Sequence, residues 1–193
     1  KKPVPLSEVA LTLEALDRTT AIGKRDYAIF LLAIVTGLRS VDITWLQFSN
    51  IDWINGEIRL RQEKTGGMLA LPLTVDVGEA IKDYVLSGRP QSQLNNIFLT
   101  AKPPFTSLGR RGIYSAFNQA RLSVGLPKCS FHGLRRALGT NMVVAGIPIS
   151  TVAQVLGHSD ISSTKQYIAL DSVHLRECAL DLTGIATNRG DIL

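Results

Sequence analysis

Acidic side chains are missing from the middle of this chain. Between Tyr84 and Ser159, a run of 76 residues, there is no Asp or Glu, yet the run carries eight cations: Arg89, Lys102, Arg110, Arg111, Arg121, Lys128, Arg135 and Arg136. The remaining 117 residues hold 13 basic and 16 acidic side chains, so the net charge of +5 conceals a slightly acidic part and a strongly basic one. Charge separated in this way creates a positive surface suited to a polyanion, with nucleic acid the leading candidate. The plain alternative is a basic face with no ligand.

Other absences narrow the class further. Cysteine occurs only at positions 129 and 178, which excludes a disulfide scaffold and offers no metal-ligand spacing. A reducing, cytoplasmic setting is the simplest expectation. No apolar run approaches the roughly eighteen residues needed to cross a bilayer, and Lys1-Lys2-Pro3 does not open a signal peptide, so no membrane partner is expected. The basic half has no carboxylate cluster for a two-metal site, and the chain has no P-loop. Metal-dependent hydrolysis is therefore disfavoured, and no metal or cofactor is expected. Internal repeats and low-complexity segments are absent as well. What remains is a 193-residue chain with 45% hydrophobic residues, enough for one substantial core.

The elements follow from pattern and punctuation. Pro3-Val4-Pro5 reads as an extended lead-in, with Ser7 as the N-cap of a helix through Leu16. Lys24 to Thr36 is an apolar segment closed by Gly37, a buried helix, and Ser40 would cap a second short one over "VDITWLQF". "IDWINGEIRLRQEKTGGMLALPL" alternates between turns at Asn55-Gly56 and Gly66-Gly67, which predicts a three-stranded antiparallel meander. Helices resume at 75–86, "NIFLT" is a candidate short strand, and further helices close at Gly125, Gly146 and Gly157. A last amphipathic helix is expected at 172–182, with a loose tail after Gly184. The fold class is mainly α with a small antiparallel β-meander, one domain over 1–183 and a tail at 184–193.

Candidate chemistry begins with "LGHSDISSTKQYIAL", residues 156–170. His158 and Tyr167 are nine residues apart, which on a straight helix places them on opposite faces. Gly157 ends one helix, however, and Ser163 with Gln166 forms a capping-box pattern for another, so the two groups can meet across a corner. His132 and Arg135 stand at i and i+3 near a helix start, where N–H groups and a guanidinium fork favour an anion. Arg39 follows Gly37 and lies three residues before Asp42, whose carboxylate could hold the guanidinium. Lys64 sits at a hairpin tip beside Gly66-Gly67. Each of these taken singly also has an ordinary reading as a packing, capping or solvated surface residue.

Together they resemble a known pattern. "TGLRSVDI" (36–43), "KTGG" (64–67), "HGLRR" (132–136) and "LGHSDISSTKQY" (156–167) are similar, in order and spacing, to the blocks of the tyrosine recombinases, the phage integrase and Xer-type family. The resemblance spans about Leu6 to Leu182, the family's catalytic domain, and implies its fold. It implies Tyr167 as nucleophile, Arg39 and Arg135 as phosphate clamp, Lys64 as general acid, His132 and His158 in acid–base and phosphate-binding roles, and Asp42 in support. Arg110, Arg111, Arg121 and Arg136 are candidate DNA contacts. Asp42 stands where Glu is also common, and "ALGT" departs from the usual run after the second arginine. The implied function is site-specific cleavage and rejoining of double-stranded DNA through a 3′-phosphotyrosine, without metal or ATP. The protein would be bacterial or phage-encoded, nucleoid-associated, and a homo-oligomer (a tetramer) on DNA, with a monomer conceivable in isolation. The family's N-terminal DNA-binding domain is expected to be absent from this chain.

The residue types fit that chemistry on their own terms. A phenol with pKa near 10 needs a base and a positive field to attack at neutral pH. A phosphodiester under attack gathers charge that two arginines and a histidine can stabilise. Three alternatives stand beside this reading: a type IB topoisomerase-like relaxing enzyme, a catalytically idle DNA-binding module, and metal-independent RNA cleavage by His132, His158 and Lys64.

Overall fold

The computed structural model describes residues 3–157. Seven helices and one small sheet are built in this span: α1 (Leu6–Glu14), α2 (Ala21–Thr36), α3 (Ser40–Thr44), β1 (Ile51–Asp52), β2 (Glu57–Arg61), β3 (Met68–Pro72), α4 (Val75–Ser87), α5 (Arg110–Ser123), α6 (His132–Val144) and α7 (Ile149–Val155). The expected capping box at Ser163, the helix at 172–182 and the tail lie outside the described residues.

α2 is the central element because its sequence is apolar on nearly every side. Ala28, Ile29, Phe30, Leu32 and Ala33 are all buried, and the helix packs against α4, α5 and α6. Phe30 meets Phe117 of α5 edge-on, with ring centroids 5.3 Å apart, and Phe117 meets Phe131 in the same way at 5.3 Å. Edge-to-face pairs of this kind contribute about 0.5–1.5 kcal/mol each beyond their buried area. This aromatic triad fixes the start of α6, where His132 stands, against the centre of the core.

The meander forms with the expected turns. β2 pairs antiparallel with β1 and with β3, in the order β1-β2-β3, with Ile58 opposite Leu71 and Leu60 opposite Leu69. Gly56 (φ 64°) and Gly66 (φ 68°) supply the left-handed residues of the two turns. Ile58, Leu60, Leu69 and Leu71 face inward, which sets the sheet's register against the helices.

Three local expectations are corrected. Ser7 does not cap α1: the helix starts at Leu6 after an extended Pro5 and has no side-chain cap. Val4 instead anchors this entry, donating its N–H to Gly133 O at 3.4 Å and filling the space a Cβ on Gly133 would need. α2 begins at Ala21 rather than Lys24, because Thr20 Oγ1 accepts the N–H of Gly23 at 3.0 Å. Ser40 is the first residue of α3 rather than its cap, and the helix stops at Thr44. Past that point Leu46 O accepts the N–H of Ile97 at 2.9 Å, and Gln47 bridges Asn96. The "NIFLT" segment thus pairs with the second half of "VDITWLQF", a tertiary contact that overrides the local helical pattern.

Candidate active site

Four chain segments meet at one cleft. It has a volume of about 220 Å³ and is lined by Arg39 and Ser40 at the α2–α3 junction, Lys64 on the β2–β3 turn, Arg110 at the start of α5, and Phe131 and His132 at the start of α6. Of the groups singled out in the sequence, Arg39, Lys64, His132 and Arg110 therefore converge. His158 and Tyr167 lie outside the described residues, one and ten positions after Gly157.

Gly37 makes the first approach possible. It ends α2 in the left-handed region (φ 65°), and a Cβ there would lie 2.9 Å from both Leu138 Cδ2 and Leu156 Cδ2. The backbone of 37–39 is consequently pressed against α6 and the end of α7. Arg39 then reaches across to α7's exit, donating from Nη2 to Gly157 O at 3.2 Å. Arg135, with 3% of its surface exposed, donates from Nη1 to Gly37 O at 2.7 Å and from Nη2 to Leu156 O. Two arginines thus hold the carbonyls of Leu156 and Gly157, the two residues that follow α7. Arg135 is buried where these segments meet, beside the cleft.

Asp42 links the arginine to the lysine hairpin. It is 3% exposed, its Oδ1 accepts the N–H of Glu63 at 3.0 Å, and its Oδ2 lies 3.9 Å from Arg39 Nη1. Neither Oδ2 nor Nη1 has a hydrogen-bond partner among the described residues. Burial raises the Asp42 carboxyl above its ordinary range, opposed by the Glu63 N–H and by Arg39 and Arg135.

His132 has an exposed edge yet lies among cations. Loss of solvent around the ring, followed by Arg135, Arg136, Arg39 and Lys64, pushes its pKa down to about 4. At neutral pH the imidazole is therefore uncharged, with one nitrogen able to accept a proton or hydrogen bond and the other to donate.

The arginines proposed as DNA contacts separate into different environments. Arg110 lines the cleft and Arg111 beside it is exposed. Arg121 is a correction: it is 2% exposed, paired with Glu8 at 2.6 Å, and donates from Nε to Pro127 O at 2.9 Å. Its guanidinium lies beside the Phe117 ring, 5.7 Å from the centroid, so it ties α5 to α1 rather than facing a ligand. Arg136 lines a separate groove with Glu8, Arg121 and Cys129.

Gln62 was not singled out from sequence, although it is 2% exposed and packs on Gly157. A signal existed: it is the third inward position in the alternation Ile58, Leu60, Gln62, where another apolar residue would be expected. No described helix is long and apolar enough to cross a membrane.

Comparison with known proteins agrees with this geometry. The sequence pattern described as the phage integrase family matches residues 5–174. Two Sinorhizobium fredii proteins named as integrase/recombinase, y4rA and y4gC, are each 36% identical over 93% and 92% of this chain. Tyrosine recombinase XerD of Staphylococcus epidermidis is 30% identical over 89% of it. The chain spans 44% of the length of y4rA, 93% of y4gC and 59% of XerD. Among solved structures, the XerA recombinase superposes with a TM-score of 0.74 at 22% identity, covering 92% of this chain and 61% of that one.

Proposed function

The chain belongs to the phage integrase family, the tyrosine recombinases, and from that premise we propose that it cuts and rejoins double-stranded DNA through a covalent 3′-phosphotyrosine. The observation that carries this reading is the convergence of Arg39, Lys64 and His132, from three separate segments, on one cleft against the turn that leads to His158. Unrelated surface side chains have no reason to be gathered in this way.

In the proposed reaction the Tyr167 hydroxyl attacks phosphorus and loses its proton, and the bond to the 5′ oxygen breaks. Lys64 protonates that leaving oxygen. Arg39 and Arg135 stabilise charge on the non-bridging oxygens, with His158 as a further donor. His132, uncharged at neutral pH, is suited to accept a proton or to donate a hydrogen bond to the phosphate. The phosphotyrosine retains the ester, so a second 5′-hydroxyl can reverse the step without ATP. Arg110 and Arg111 provide phosphate contacts beside the cleft, and the protein acts as a homo-oligomer on its DNA.

The test uses a nicked suicide duplex, from which the 5′ product diffuses away. Wild-type protein should form an SDS-stable protein–DNA adduct and Tyr167→Phe none. Strand cleavage by the wild type with no adduct would overturn the proposal. Arg135→Lys should slow adduct formation far more than it weakens DNA binding, because a point charge does not replace the guanidinium fork. Equal loss of both would count against the assigned role.

A further inference from the structure

Lys64 is exposed, at the tip of a hairpin, where a side chain normally wanders. Its neighbours do not. Glu63 is tied to Asp42 through its N–H. Thr65 donates its hydroxyl to Gln62 Oε1 at 2.8 Å, and Gln62 closes the turn through Gly67 O (2.9 Å) and the Gly66 N–H (2.8 Å). The Gln62 side chain then runs inward and lies against the backbone of Gly157: a Cβ built there would sit 2.5 Å from Nε2 and 2.6 Å from Oε1. Nε2 is buried and has no hydrogen-bond partner among the described residues.

A polar amide in this position costs stability, since a buried donor without a partner is desolvated for no return. Methionine would fill the same space, continue the alternation of Ile58 and Leu60, and carry no such cost. The amide is therefore explained by its direction. Its oxygen accepts from the residue after Lys64, and the same amide, through both Oε1 and Nε2, is pressed on the residue before His158. No hydrogen bond joins the hairpin to α7's exit among the described residues; the Gln62 side chain meets it by packing.

We propose that Gln62 is a positioning residue that sets Lys64 in register with the corner at Leu156–Gly157, and so with the groups the chain presents after it. This rests on the transesterification reading above. In that reading Gln62 never touches DNA; it acts through the general acid, by fixing where the Lys64 ammonium stands relative to the departing 5′ oxygen.

The experiment compares two suicide duplexes that differ only in the bridging atom at the scissile phosphate, 5′ oxygen or 5′ sulfur. A thiolate leaves without being protonated, so the sulfur substrate does not need the general acid. Gln62→Met should slow single-turnover adduct formation on the oxygen duplex by about 10- to 100-fold, the scale of a catalytic group displaced by about an ångström. Its DNA affinity should be unchanged, and most of the loss should disappear on the sulfur duplex. Thr65→Val, which releases the amide without altering the buried position, should show the same pattern. Lys64→Ala supplies the reference for full rescue and Arg39→Ala the reference for none. Wild-type rates for both variants, or the same loss on both duplexes, would overturn the assignment. If the wild type forms no adduct with either duplex, the failure lies in the transesterification reading rather than in the role of Gln62.

Discussion

At the scale of single residues, charge and burial together decide behaviour. His132 has a folded pKa of about 4 against an ordinary value of 6.5. Between these values the unfolded chain binds a proton at this site and the folded protein does not, so acid favours unfolding. The stability contribution is complete above about pH 6.5 and is lost as the pH falls to 4. Urea midpoints measured across that window should decline for the wild type and decline less for His132→Asn. For the same reason, the second-order rate constant for cleavage should have no acid limb at 6.5 that His132→Asn removes. Asp42 makes a different prediction. Asp42→Ala takes the acceptor from the part-buried Glu63 N–H, at a cost of about 1 kcal/mol, and frees both Arg39 and the base of the Lys64 turn. Cleavage should fall more than stability accounts for, as read by adduct yield at a temperature where the variant is folded.

At the scale of elements, glycine placement separates turns that merely end a helix from one that builds the site. Gly37 and Gly146 both follow a helix with positive φ, 65° and 79°. Nothing lies within 4 Å of a Cβ on Gly146, so Gly146→Ala should cost only the left-handed conformation, about 1 kcal/mol. Gly37→Ala adds overlap with Leu138 and Leu156, for a total of about 3 kcal/mol, and should also depress cleavage by pushing α7 away from Arg39. Denaturation midpoints and adduct assays on the two variants check the contrast. The helices and hairpin were legible in the sequence because glycine punctuation and the two periodicities are local. The end of α3 was not, since Leu46 and Gln47 are drawn into pairing with Asn96 and Ile97, about fifty residues later in the chain. The cap at Thr20 was overlooked because the apolar run that dominates the helix starts several residues after it.

At the scale of the whole molecule, the basic run divides into cations that face outward and cations that hold the core together. Arg110→Ala should lower DNA affinity and reduce the salt slope by about one. Arg121→Met should leave the slope unchanged and alter only thermal stability, since its charge is already matched by Glu8. Fluorescence anisotropy with a labelled duplex at several salt concentrations separates the two. Sequence alone made Arg110 and Arg121 equal members of one positive patch, because burial on the far side of a helix depends on which partner helix packs there. The cleft groups were legible for the opposite reason: their spacing along the chain mirrors the junctions that bring them together. The lead-in at residues 3–5 gives the assembled molecule one more property. Val4 is seated beside Gly133, a single residue from His132. Val4 is at the same time a member of the hydrophobic core, so residues 3–5 join the core to the first turn of α6. Residues 3–5 therefore brace the turn that carries His132, and a substitution that unseats Val4 should disturb the cleft as well as the core.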